Sequence, residues 1–172
     1  MTELAPIWKT PTRAQAVAML RACRSVTDEL LAPLSNKQRT TPTTLGDGTW
    51  TVKDLLGHLS MWEERALDII DGKPAPPFAS ADEMNAHGLE RTRGMTLPKV
   101  EREYARVRGA LVDAIETMDD ERWLAKVETG SGRTALALRL GKLLVGGRHG
   151  YFAHDLAHRN DLTKAVQHLT AV

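Results

Sequence analysis

His154 and His158 stand four apart in the stretch His154-Asp155-Leu156-Ala157-His158-Arg159, and at about 3.6 residues per turn that spacing stacks two imidazoles on one face of a helix. A neutral imidazole offers one lone pair, so two at this spacing can chelate a single cation. His58 lies far upstream in a second amphipathic stretch, three residues after Leu55 and four before Trp62, which places it on the inward stripe. Three such histidines supply three protein ligands and leave a position for water or substrate, as in catalytic rather than closed structural metal sites. The competing reading is that each is a hydrogen-bonded core residue. Burying several imidazoles without a shared partner costs roughly 1–3 kcal/mol for each unsatisfied group, which weighs toward a common cation.

The remaining candidates are weaker. His149, five before His154, points away from the ligand face; His87 falls in a connection and His168 in the tail. Asp161, three after His158, could orient an imidazole or reach a metal-bound water, but for it and Asp155 a salt bridge on the helix exterior is an equal alternative. Cys23 lies on an apolar stripe and reads as core. The turn Glu128-Thr129-Gly130-Ser131-Gly132 is too short for a phosphate-cradling loop and lacks the trailing lysine.

Four amphipathic helices would position the histidines. A capping-box pair, Thr12 and Gln15, starts the first, whose stripe Ala16, Leu20, Cys23, Leu30 and Leu34 closes at Pro33 and Ser35-Asn36. After a polar loop over 36–48, Thr51 and Asp54 repeat the box and open a second helix to about Asp71, with Val52, Leu55, His58, Leu59, Trp62, Ala66 and Ile69 inward and Lys53, Glu63, Glu64 and Asp68 outward. Gly72 and Pro74, Pro76 and Pro77 end it, and a long crossover with helical turns around Ser80 to Arg93 follows. Thr96 caps the third helix, which has Pro98 in its first turn and a seam of Val100, Tyr104, Val107, Leu111, Ile115 and Met118. The arginines and glutamates between the seam positions read as a solvated face. An irregular connection over 119–132 leads to a fourth helix expected over 134–162, with Leu140, Leu144, Gly147, Tyr151, His154 and His158 on one stripe and Gly146-Gly147 allowing close backbone approach. The tail after Lys164 reads as loose, and no strand alternation is visible. The fold class is all-α, a four-helix bundle forming one domain over residues 1–172.

With 23 basic against 22 acidic side chains in 172 residues, no global field favours nucleic acid or an anionic membrane. A single cysteine excludes an internal disulfide and fits a reducing compartment. Without a signal-like N-terminus or an apolar run of membrane-spanning length, cytoplasm is the expected location.

The chain resembles the DinB-like superfamily of four-helix bundles, which includes thiol-dependent S-transferases and maleylpyruvate isomerase N-terminal domains. The carriers are Trp50-Thr51-Val52-Lys53-Asp54-Leu55-Leu56-Gly57-His58-Leu59 with Trp62-Glu63, the crossover around Asn85, and the His154 to Arg159 segment. The resemblance implies an up-down-down-up bundle with the long connection between helices two and three. It implies His58, His154 and His158 as ligands of a divalent metal such as zinc, nickel or iron, a small electrophilic substrate, a low-molecular-weight thiol as cosubstrate, and a homodimer. In such proteins Arg-x-Gln and an aliphatic residue usually follow the last ligand; here Arg159-Asn160-Asp161-Leu162 puts an acid at the glutamine position, a departure that bears on substrate contacts rather than ligation. Two readings follow: a metal-dependent hydrolase or S-transferase in which the cation activates water or a thiol, or a non-catalytic metal-binding or stress-response bundle acting through protein or small-molecule binding.

Overall fold

The structure is a computed structural model that describes residues 10–129, 132–145 and 152–171. Gly130, Ser131, Gly146, Gly147, His149 and Tyr151, to which the sequence assigns roles, lie outside the described residues.

Both capping boxes form. Thr12 Oγ1 accepts the Gln15 amide at 3.2 Å while the Gln15 side chain accepts the Thr12 amide at 2.9 Å, starting α1 (Arg13–Leu31). Thr51 and Asp54 do the same for α3 (Val52–Ile70). Between them a short α2 (Asn36–Arg39) stands in the expected loop, capped by Ser35 and Gln38. The crossover contains α4 (Ala81–Arg93), and α5 (Leu97–Thr117) follows with Pro98 in its first turn. Thr96 occupies the N-cap position of α5, but its side chain makes no capping hydrogen bond. Two glycines let α4 ride against α3: a Cβ on Gly57 would stand 2.1 Å from Thr92 Oγ1, and one on Gly88 would stand 2.2 Å from Met61 Sδ.

Contacts along the helices fix their directions. The Lys53 ammonium reaches the Met95 carbonyl and Glu63 pairs with Arg108, so α3 and α5 run parallel. Arg13 pairs with Asp120 while Arg108 reaches the Leu20 carbonyl, so α1 opposes α5. The closing helix α8 (Asp155–Thr170) runs with α1, as Thr27 meets Asp155 and Gln38 meets Leu169. This is the up-down-down-up order with its long connection between the second and third long helices.

The fourth helix is a correction. The expected irregular connection over 119–132 holds the short α6 (Asp120–Leu124) and a two-stranded antiparallel hairpin, β1 (Lys126–Thr129) with β2 (Gly132–Ala135), and the expected single helix over 134–162 is two helices, α7 (Leu136–Val145) and the separate α8. Four residues per strand are too few for alternation to show, and of the expected stripe Leu140 and Leu144 lie on α7 while His158 lies on α8. The tail is helical as well, because Ala165, Val166 and Leu169 are buried against the bundle.

Apolar residues form two clusters, one around Leu20, Leu111, Ile115, Leu140 and Trp123, the other around Leu55, Leu59, Val100, Tyr104 and Leu162. A polar layer lies between them in each of the long chain segments: Thr27 on α1, Glu63 on α3, Arg108 on α5 and Asp155 at the start of α8, all buried. Arg108 donates to Glu63 from Nε at 2.9 Å, to the Leu20 carbonyl at 2.7 Å, and from Nη2 to both Glu63 and Asp155. Tyr104 and Thr27 donate to Asp155 at 2.6 and 3.0 Å. The expected outward placement of Glu63, and of every α5 arginine, is therefore overturned at Glu63 and Arg108. Buried charges persist only when paired in this way. No helix among the described residues is long and apolar enough to cross a membrane.

Candidate metal centre

His58 sits on the buried side of α3, and its edge meets Trp50 with ring centroids 5.3 Å apart. His154 occupies the N-cap position of α8 with helical φ and ψ of −67° and −29°. It therefore keeps the helical spacing to His158 although it precedes the helix proper. The His154 and His158 rings lie 4.9 Å apart, and each lies 5.0 Å from the His58 ring.

The facing atoms are all Nε2: His154 to His58 at 2.9 Å, and His158 to His154 at 3.3 Å. All three histidines can offer ligand atoms lying within 4.8 Å of one another, and they form the one group of this kind among the described residues. The tautomer of His154 follows from its other nitrogen. Nδ1 bonds the Leu144 carbonyl, which can only accept, so Nδ1 carries the hydrogen and the Nε2 lone pair faces its neighbours. Leu144 is available because it lies in the last turn of α7, where carbonyls have no helical donor.

Burial, first, and the neighbouring imidazoles push the pKa of His58 down to about 3 and that of His154 down to about 4. His158 is also lowered by burial, against the opposing pull of Asp161 and Asp155. Neutral rings at physiological pH keep their lone pairs. The donor set fits a divalent cation: nitrogens held at 2.0–2.1 Å in tetrahedral array stand about 3.3 Å apart, close to the 2.9 and 3.3 Å that separate the Nε2 atoms here. A proton shared between two Nε2 atoms can satisfy only one pair of the three rings.

A family model described as the mycothiol maleylpyruvate isomerase N-terminal domain matches residues 20–144. The chain belongs to this family. It lies within the DinB-like superfamily that the sequence resembles. The matched span includes His58 and stops before His154 and His158. A crystal structure of the mycothiol-dependent maleylpyruvate isomerase superposes with a TM-score of 0.64 at 14% identity, covering 99% of this chain and 71% of that one. A histidine-to-alanine variant of the same enzyme gives 0.66 at the same identity and coverage. A sibling lethal factor precursor, DfsB, gives 0.57 at 14% identity, covering 93% of this chain and 94% of that one. At these identities the likeness is one of fold. No curated protein matches the sequence.

The other residues singled out in the sequence separate cleanly. Asp161 is exposed, and its charge favours the protonated form of His158 against the effect of burial. His87 is exposed on α4 with its ring 5.1 Å from Phe78, and His168 is exposed in the last turn of α8. Cys23 is buried, and burial, with the Asp155 charge adding to it, pushes its thiol up to about 12. Trp62 stands beside the site, its ring 6.1 Å from that of His154 and its Nε1 donating to Asn85 at 3.1 Å. Asp155, for which a salt bridge on the helix exterior was one of two alternatives, is the buried link from the histidine segment to Arg108. Its spacing carried no signal. Glu63 and Arg108 did carry one: Glu63 lies four after Leu59 and three before Ala66, and Arg108 four after Tyr104 and three before Leu111, all buried stripe positions.

Proposed function

We propose that this chain is a metal-dependent enzyme of the DinB-like type that uses a thiol or water to attack a small electrophile, with His58, His154 and His158 as the metal ligands. The observation that carries the reading is the convergence of three Nε2 atoms from α3 and α8 with the His154 lone pair directed inward. A divalent cation held there, zinc, nickel or iron, would supply Lewis acidity that lowers the pKa of a coordinated thiol or water. The chain's own contribution is positional. The Leu144 carbonyl sets the His154 tautomer, Asp155 ties the next residue into the buried Arg108 network, and Trp50 and Trp62 present apolar walls that restrict water at His58. A low-molecular-weight thiol as cosubstrate is supported by family membership and by the words mycothiol-dependent in the description of the superposed enzyme. S-transfer, isomerisation and hydrolysis share this use of an activated nucleophile. A homodimer and a single domain over the full chain complete the reading, on the strength of the family resemblance.

The test is metal content by mass spectrometry on purified protein and on His154→Ala, with turnover of small electrophiles measured with and without added thiol. One equivalent of divalent metal, lost in the variant together with thiol-dependent turnover, is the expected result. Unchanged metal content in His154→Ala would refute the ligand assignment. Stoichiometric metal without turnover of any electrophile would favour a non-catalytic bundle.

A further inference from the structure

A second feature stands apart from the histidines. The end of α3, the turn after it, α6, the hairpin and α7 enclose an open cleft of about 480 Å³, within the size range of small-ligand pockets. Arg65, Arg122 and Arg139 line it. None of the three has a carboxylate within ion-pair distance among the described residues, as is also true of Arg93, Arg102 and Arg159, whereas Arg13, Arg21, Arg24, Arg39, Arg91, Arg106, Arg108 and Arg133 all do; what sets the three apart is that they line one cleft. Arg65 is 8% exposed and spends one donor on the Pro74 carbonyl at 3.3 Å; Arg122 spends one on the Ile70 carbonyl at 2.9 Å. Each guanidinium has five donors in a fixed fork, so most of this capacity is unused among the described residues. The opposing charges nearby are engaged elsewhere: Glu128 pairs with Arg133 at 3.0 Å, and Asp68 pairs with Lys73 at 3.0 Å. Burial lowers the Arg65 pKa, Asp68 opposes this, and the Arg139 charge adds to the lowering. Gathering Arg122 into the same cleft as Arg65 and Arg139, in a chain whose net charge is only +1, is the electrostatic pattern of a site built for a negative guest.

We infer that this cleft binds a small ligand carrying two or more anionic groups, carboxylates or phosphates, clamped by Arg65, Arg122 and Arg139. Planar guanidinium forks match either group bidentately, which the lysine point charge does not. Arg65 lies seven residues after His58 on the same face of α3, about 10 Å further along the axis. The site is therefore separate from the histidines and independent of whether they hold a metal.

Isothermal titration of the full chain with sodium pyrophosphate, and separately with citrate, tests the inference and distinguishes phosphate from carboxylate chemistry. One ligand per chain is expected, weakened about tenfold by Arg139→Gln and by Arg122→Gln, since each removes one charge-assisted fork. These two variants are preferred to Arg65→Gln, whose burial puts folding at risk. Binding is expected to survive in His158→Ala, which leaves the cleft intact. Loss of binding in His158→Ala would assign the anion to the histidine cluster and overturn the inference. So would an equal weakening by Arg106→Gln, on another face, or no binding of either probe up to about 10 mM.

Discussion

Replacing Arg108 by methionine removes the one cation that serves two buried carboxylates. The side chains of Arg108, Glu63 and Asp155 are 5%, 0% and 4% exposed, so solvent cannot take over the lost interactions. Glu63 loses its donors and keeps an Oε2 that already lacks a partner; Asp155 retains Tyr104 and Thr27; the Leu20 carbonyl loses its contact with the guanidinium. Breaking a buried pair by deleting one member costs about 3–5 kcal/mol, a large share of a typical stability of about 5–15 kcal/mol. At about 2–4 °C per kcal/mol for a chain of this size, melting falls by about 6–20 °C. The loss also depends on pH. Burial already pushes the Glu63 pKa up to about 7, even against the guanidinium, and without Arg108 it rises further. A carboxyl whose folded pKa exceeds its unfolded value contributes stability below the unfolded value, and that contribution is lost as pH rises through the folded one. The penalty of Arg108→Met therefore grows as pH rises through about 7, where Glu63 ionises in the native protein and not in the variant, and is larger at pH 8 than at pH 5. Urea denaturation of both proteins at the two pH values measures it. A loss below about 1 kcal/mol at the higher pH, or one equal at both, would refute the reasoning.

Two further outcomes follow from the packing around the histidines. In chelator-treated protein the pKa values near 3 for His58 and near 4 for His154 lie below the ordinary value of 6.5, so the unfolded chain binds protons that the folded chain refuses. Stability is fully present above pH 6.5 and falls as pH drops toward the folded values; denaturation midpoints across that window should show the slope, and His58→Leu should flatten it, an unchanged slope counting against neutral buried rings. Gly57→Ala, despite the helical preference for alanine, costs about 1–3 kcal/mol because the new Cβ meets Thr92. Thr92→Ala should recover part of that loss, and strict additivity of the two changes in a double-mutant cycle would contradict the contact.

The sequence by itself determined the features that depend on local spacing. Capping boxes at Thr12 and Thr51, the inward stripes of α1, α3 and α5, and the proline-bounded crossover are written in neighbours a few residues apart, and the structure has them where they were expected. His58, His154 and His158 could be nominated because helical periodicity assigns a face without reference to any partner. Only the tertiary structure decided what those faces meet. It built a hairpin into the expected connection and divided the expected fourth helix in two, placing the Leu144 carbonyl against His154. It set Glu63, Arg108 and Asp155 together from three different chain segments. A charged residue reads as solvated until its counter-charge is known, and that counter-charge lies 45 residues away for Glu63 and 47 for Asp155. The same reason hid the arginine cleft: Arg65, Arg122 and Arg139 look like ordinary surface cations in sequence, and only packing shows that they line one cleft with no carboxylate within ion-pair distance among the described residues.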